Sequence, residues 1–138
     1  MINEIINITP YLIAPLPMVY LLHKNQKKRA VLYGSAVLLS ISTAVFLKYI
    51  FNIPRPDGGL IRTTTPSFPS AHAALAFVIP SFFRERRIWT MTYALLVGLS
   101  RLYLGVHYAG DIVGGALIGL FFGFLFRSGK IMKLVKGR

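Results

Sequence analysis

A chain of 138 residues with 54% hydrophobic side chains, a mean hydropathy of +0.58 and no cysteine is too apolar for a water-soluble domain of its size, which leaves the membrane as its class. The missing cysteine excludes disulfides, thiolate metal sites and thiol nucleophiles. The formal charge of +12 does not point to nucleic acid, because the basic residues sit between apolar runs rather than on one face of a soluble fold.

Five apolar segments follow in chain order, at 5–22, 30–50, 70–83, 88–104 and 108–126, against a need for about 20 residues per crossing. They predict an all-α, multi-pass transmembrane helix bundle. The first carries Pro10, Pro15 and Pro17 and reads as a kinked crossing, or else a partly re-entrant segment, whose neighbours satisfy the freed carbonyls. Glu4 precedes it, no lysine or arginine does, and no small-residue cleavage site follows, so a cleaved signal peptide is not expected. The third segment is short. It is expected to lengthen by recruiting Ser67, Phe68 and Pro69, or to cross where the bilayer is locally thinned. The last carries Gly110, Gly114, Gly115, Gly119 and Gly123 in small-residue rows that let a helix approach closely. Packing within the bundle is their first expected use and a homodimer through this helix the second. No repeat, low-complexity stretch or linker divides the chain, which predicts one domain over 1–138.

Lysine and arginine fall at 24, 27, 28 and 29, at 84, 86 and 87, and at 127, 130, 133, 136 and 138, all on one side if five spans alternate. That side holds twelve basic residues against four on the other, namely Lys48, Arg55, Arg62 and Arg101, so it is expected to be cytoplasmic, together with the C-terminus. The basic tail from Arg127 onward then meets anionic headgroups. Trp89, Tyr49, Tyr103 and Tyr108, near span ends, read as interfacial anchors, and His23 as a plain interfacial residue.

Three stretches on the outward side carry the remaining polar groups: KYIFNIPRP at 48–56, PSAH at 69–72 and SRLYLGVHYAGD at 100–111. A charge inside a span costs about 2.5–3.5 kcal/mol, so such residues mark function or pair with one another. Lys48, Arg55 and Arg101 outnumber Asp111, the one acid of these motifs, and with the free amides of a helix starting near Ser70 they describe an anion site. Phosphate suits it best: arginine binds its oxygens in a bidentate fork and lysine adds a point charge. His107 and Asp111 are four apart and share one helix face. The carboxylate can then accept one ring N–H, fix the tautomer, and stabilise charge that grows as the other nitrogen attacks. His72, near the helix start that holds the phosphate, is placed to protonate a departing oxygen. Asp57, Gly58 and Gly59 make a turn, and Arg62 is the one outward basic residue outside the three motifs.

Together these stretches resemble the signature of the type 2 phosphatidic acid phosphatase superfamily, K-x6-R-P, P-S-G-H and S-R-x5-H-x3-D. Lys48 to Pro56 and Ser100 to Asp111 match without departure, and Ala71 replaces the glycine of the second part. That position resembles one whose backbone amide binds phosphate, and alanine keeps the amide. The resemblance implies a haloperoxidase-like helical core, and in membrane members six helices, one more than the segments here supply. It also implies a metal-independent, cofactor-free phosphatase. In it His107 forms a phosphohistidine that water then opens, Asp111 orients it and His72 protonates the leaving group. Lys48, Arg55, Ser70, Ala71 through its backbone, and Arg101 would hold the phosphate. With the motifs beside apolar spans, the expected substrate is a lipid phosphate or diphosphate at the outer face of the cell membrane, first an isoprenoid carrier such as undecaprenyl diphosphate. Phosphatidylglycerophosphate, phosphatidate and lipid A phosphate are the alternatives. A phosphotransferase shares the phosphohistidine, whereas a lipid-binding or transport protein would need the cations and neither histidine.

Overall fold

The most buried element is also the shortest crossing candidate. In the computed structural model, which describes residues 1–128, the stretch Ala71–Phe82 (α4 below) is a 12-residue helix with eleven of its residues buried. At 1.5 Å per residue it rises about 18 Å, well short of a bilayer core of about 30 Å. It is enclosed by the other helices, so lipid thickness does not set its length. The expected extension through Ser67, Phe68 and Pro69 is not made. Ser70 caps the helix instead, its Oγ accepting from the Ala73 amide at 3.4 Å.

Six helices make up the described residues: α1 Ile2–Ile13, α2 Leu16–His23, α3 Lys27–Phe51, α4 Ala71–Phe82, α5 Arg87–Tyr103 and α6 Ala109–Arg127. The sixth comes from the N-terminal segment, which bends near Pro15 into two helices that together make one kinked span candidate, Ile2–His23. Pro15 and Pro17 break it, because neither supplies an amide and both suit a helix start. Tyr33 of α3, itself buried, donates to the Ala14 carbonyl in the break at 2.9 Å, giving that oxygen a partner that lipid could not offer. The opposite face of α3 carries Leu38 and Phe46, and α5 and α6 likewise turn Leu96, Leu99, Leu117 and Phe121 outward. Such a continuous apolar belt belongs against hydrocarbon. Three stretches, Ile2–His23, Lys27–Phe51 and Ala109–Arg127, are long and apolar enough to cross a membrane. Trp89, Tyr49, Tyr103 and Tyr108 are exposed near helix ends, as interfacial anchors should be. Most of the basic tail, from residue 129 on, lies outside the described residues.

Around α4 pack α6, α5 and α3, with α1 touching its start. The α6 glycines make the closest of these approaches. A Cβ at Gly115 would run into the Ser70 carbonyl, one at Gly119 into the Ala74 carbonyl, and one at Gly123 into the Ser81 side chain. The glycine row is therefore taken up inside the chain, and it offers no support for a homodimer through this helix. Gly110 faces open space. Gly119→Ala is expected to cost about 1–3 kcal/mol by overpacking, read as a lowered thermal midpoint in detergent. Gly110→Ala should leave the midpoint within error of the parent.

Candidate active site

The helix ends and loops that gather at one end of the bundle place the motif residues around a single cavity of about 300 Å³. Lys48 reaches it from the last turn of α3, Arg55 from the loop that follows, Ala71 and His72 from the first turn of α4, Arg101 from the end of α5, and His107 from the α5–α6 loop. Two turns set these approaches. Asn52 ends α3 in the left-handed region at φ 44°, its amide bonded to the Lys48 carbonyl. Gly105, at φ +64°, swings the chain out of α5 so that Val106 and His107 turn back under the bundle. The starts of α4 and α6 are tied by the Ser70 amide donating to the Asp111 carbonyl at 2.9 Å.

Asp111 sits behind the cavity rather than in it. One oxygen, Oδ2, lies 3.1 Å from His107 Nδ1 and accepts from the Tyr108 amide at 2.9 Å, which caps α6. A guanidinium only donates, so the 3.4 Å approach of Arg55 Nη1 to His107 Nε2 requires a lone pair on Nε2. The proton therefore belongs on Nδ1, toward Asp111, and the free lone pair faces the cavity. Burial, then the cations Arg55, Lys48 and Arg101, push the His107 imidazole down to about 3. A base whose native pKa is depressed keeps its full share of stability above its ordinary value of 6.5 and loses it as pH falls toward 3. In the free protein the His107 ring signals should thus stay those of a neutral imidazole at pH 5 in a nuclear magnetic resonance titration; a midpoint near 6.5 would contradict this environment.

The three cations are held without being neutralised. Lys48 Nζ donates to the carbonyls of Pro66 and Ser67 at 2.7 and 2.9 Å. Arg55 donates to the carbonyls of Thr65 and Val106 at 2.7 and 2.6 Å and to Thr65 Oγ1 at 3.0 Å. Arg101, fully buried, donates to Asn7 Oδ1 at 2.7 Å, the Ile6 carbonyl at 2.8 Å and Ser100 Oγ at 3.1 Å. Carbonyls, hydroxyls and an amide orient these groups, and none of the three pairs with a carboxylate among the described residues. Such a cavity favours an anion.

Two site residues differ from their sequence reading. Ser70 is set back from the cavity, fully buried, with its hydroxyl engaged in the cap. His72 lines the cavity, but its Nε2 lies 3.1 Å from the Asn7 carbonyl and its ring packs against Tyr11 at 4.6 Å between centroids. Both contacts come from α1, which sequence reading left out of the site altogether. The signal was a polar row, Asn3, Asn7 and Tyr11, spaced by four along a mainly apolar segment. Since Asn7 Oδ1 already occupies one donor of Arg101, Asn7→Asp would place a carboxylate there. It is expected to weaken inorganic phosphate binding about tenfold, measured by calorimetry, whereas Asn7→Gln should change it little.

Comparison with known proteins agrees with this geometry. Residues 29–130 match the family model described as the PAP2 superfamily. The chain is 33% identical over 119 residues to undecaprenyl-diphosphatase BcrC of Bacillus subtilis, a match covering 78% of this chain and 62% of the relative. It is 36% identical over 135 residues to lipid A 4'-phosphatase of Bacteroides thetaiotaomicron, covering 79% and 59%. The chain thus spans about three-fifths of the length of these curated relatives. Among solved structures, Aquifex aeolicus LpxE superposes with a TM-score of 0.75 at 28% identity, covering 92% of this chain and 86% of that one. The matched region holds Lys48, Arg55, Ala71, His72, Arg101, His107 and Asp111 of this site: the chain belongs to the PAP2 superfamily.

Proposed function

We propose that this chain is a membrane lipid phosphatase that works through a phosphohistidine at His107. The observation that carries the reading is the lone pair of His107 Nε2 facing a cavity with three unneutralised cations, backed by Asp111. Lys48, Arg55, Arg101 and the Ala71 amide would hold the phosphate oxygens and the charge that grows on them. Nε2 attacks phosphorus, the bond from phosphorus to the lipid oxygen breaks, and that oxygen takes a proton from His72 in its imidazolium form, leaving His72 neutral. Water then attacks the phosphohistidine and returns a proton to His72, the P–N bond breaks, and inorganic phosphate leaves with His107 neutral again. His72 shares its Nε2 proton with the Asn7 carbonyl, so the leaving oxygen would take that carbonyl's place as acceptor.

For the substrate we favour an isoprenoid carrier diphosphate at the outer face of the membrane. The excess of basic residues at the opposite end supports that orientation, and the similarity to a protein named undecaprenyl-diphosphatase supports that substrate. The test is phosphate release by the purified chain in detergent with a chelator present. Its panel contains undecaprenyl diphosphate, phosphatidylglycerophosphate, phosphatidate and lipid A. Release that persists in the chelator and is fastest with the isoprenoid diphosphate is expected. Fastest release from lipid A would move the assignment toward the second relative, and none from any lipid by the folded protein would end the hydrolase reading.

A further inference from the structure

Far from the catalytic cavity, at the other end of α3, two cavities meet. Arg29 and Lys48 stand on the same helix, separated by about 28 Å at 1.5 Å per residue. One cavity, of about 300 Å³, is walled by Arg29, Arg84, Arg86 and Arg127 with Glu85 as its one acid. The other, of about 340 Å³, is an apolar trough between α2 and α5, walled by Leu16, Pro17, Ile79, Trp89 and Tyr93. Tyr20, Phe83 and Arg86 line both, so the trough and the arginine cavity adjoin.

Membrane orientation calls for arginines on this side, but it does not call for them to converge on one cavity from three parts of the chain. Arg29 comes from α3, Arg84 and Arg86 from the α4–α5 turn, and Arg127 from the end of α6. Two of them are held in place. Arg29 donates to Gln26 Oε1 and to the Phe82 carbonyl, both at 2.6 Å, and the Arg86 guanidinium lies 5.8 Å from the centre of the Tyr20 ring. None pairs with a carboxylate among the described residues. Leu16 and Trp89, on the trough wall, are 59% and 76% exposed, so the trough opens sideways toward hydrocarbon. A free anion would use the arginines and leave the trough unused. A neutral lipid would use the trough and leave four cations without a partner.

We propose that this junction binds an anionic glycerophospholipid of the surrounding membrane, with its phosphate among the arginines and an acyl chain in the trough, at a site separate from the catalytic cavity. Basic pockets between membrane helices recognise headgroups in this way, with each basic residue contributing about fivefold in affinity. The site is independent of whether the chain hydrolyses any lipid.

The test is native mass spectrometry of the full chain in detergent, offered phosphatidylglycerol or phosphatidylcholine at equal concentration. Phosphatidylglycerol should be retained the more strongly. Arg84→Gln with Arg86→Gln should lower its retention about 30-fold, Lys48→Ala should leave it unchanged, and millimolar inorganic phosphate should not displace it. Should the double variant fold poorly, Leu16→Trp fills the trough with every charge in place, and it should lower retention of phosphatidylglycerol. Equal retention of the two lipids would overturn the proposal, as would undiminished retention in a folded variant of either kind. Loss of the lipid in Lys48→Ala would place binding in the catalytic cavity, and displacement by phosphate would reduce the site to one for free anions; either result overturns it too.

Discussion

His107→Ala is expected to lower phosphate release from the preferred lipid by about four orders of magnitude or more while leaving the protein folded. Removal of a covalent nucleophile has an effect of that size, because the remaining cations bind substrate but offer no atom to receive the phosphoryl group. The ring is buried yet makes few polar contacts of its own, to Asp111 and, at 3.4 Å, to Arg55. Alanine also keeps the backbone that carries the Arg55 contact to the Val106 carbonyl. Melting temperature and inorganic phosphate affinity should therefore stay close to those of the parent, and single-turnover phosphate release is the readout. A protein that only captured lipid phosphates would keep its full function in this variant, as would one that used His107 for packing alone.

Asp111→Asn should cost about three to four orders of magnitude in the same assay. The carboxylate does two jobs through one atom, accepting from His107 Nδ1 and from the Tyr108 amide. An asparagine turned with its oxygen at that point keeps both contacts and removes only the negative charge that supports the growing imidazolium. Turned the other way, its amide donates to Nδ1, which moves the ring proton to Nε2 and removes the lone pair. Both outcomes lower the rate of attack, and neither touches the cations. The expected signature is thus a fall in kcat with inorganic phosphate affinity retained, checked by calorimetry beside the kinetics. Equal losses in phosphate affinity and rate would show that Asp111 serves mainly to hold the α6 start in place.

The site lay open to sequence reading wherever its geometry is local. The spacing of His107 and Asp111 pointed to a pair and the two do meet, but not along one helix face: His107 precedes the extended N-cap Tyr108, and Asp111 in the first turn of α6 reaches back to it. Lys48, Arg55 and Arg101 were legible because a cation beside an apolar run is costly and so conspicuous. What stayed hidden depends on contacts between distant parts of the chain. Arg101 meets Asn7 across 94 residues and His72 meets the Asn7 carbonyl across 65, and nothing near either partner announces the other. Ser70 illustrates a different ambiguity. A serine at a helix start can offer its hydroxyl to a ligand or turn it to its own backbone, and the sequence is the same for both. The helices were legible from their apolar runs, and the prolines near residue 15 marked the bend between α1 and α2. The exception is α4, whose brevity looked like a boundary error because a lipid-facing helix would need more residues.

That brevity bears on how the chain enters the membrane. Twelve residues are too few to be held across the bilayer by their own partition energy, so α4 must be inserted in company, as one arm of a hairpin with α5, and kept there by neighbours. The principal neighbour, α6, is made after the other five helices described, and its Gly115, Gly119 and Gly123 pack closely against α4 and its cap. Until α6 emerges from the ribosome, the helix that carries His72 has no complete wall around it. Assembly of the cavity is therefore a late event in biogenesis, and a chain stopped after α5 would present quality-control proteases with an unsealed membrane intermediate.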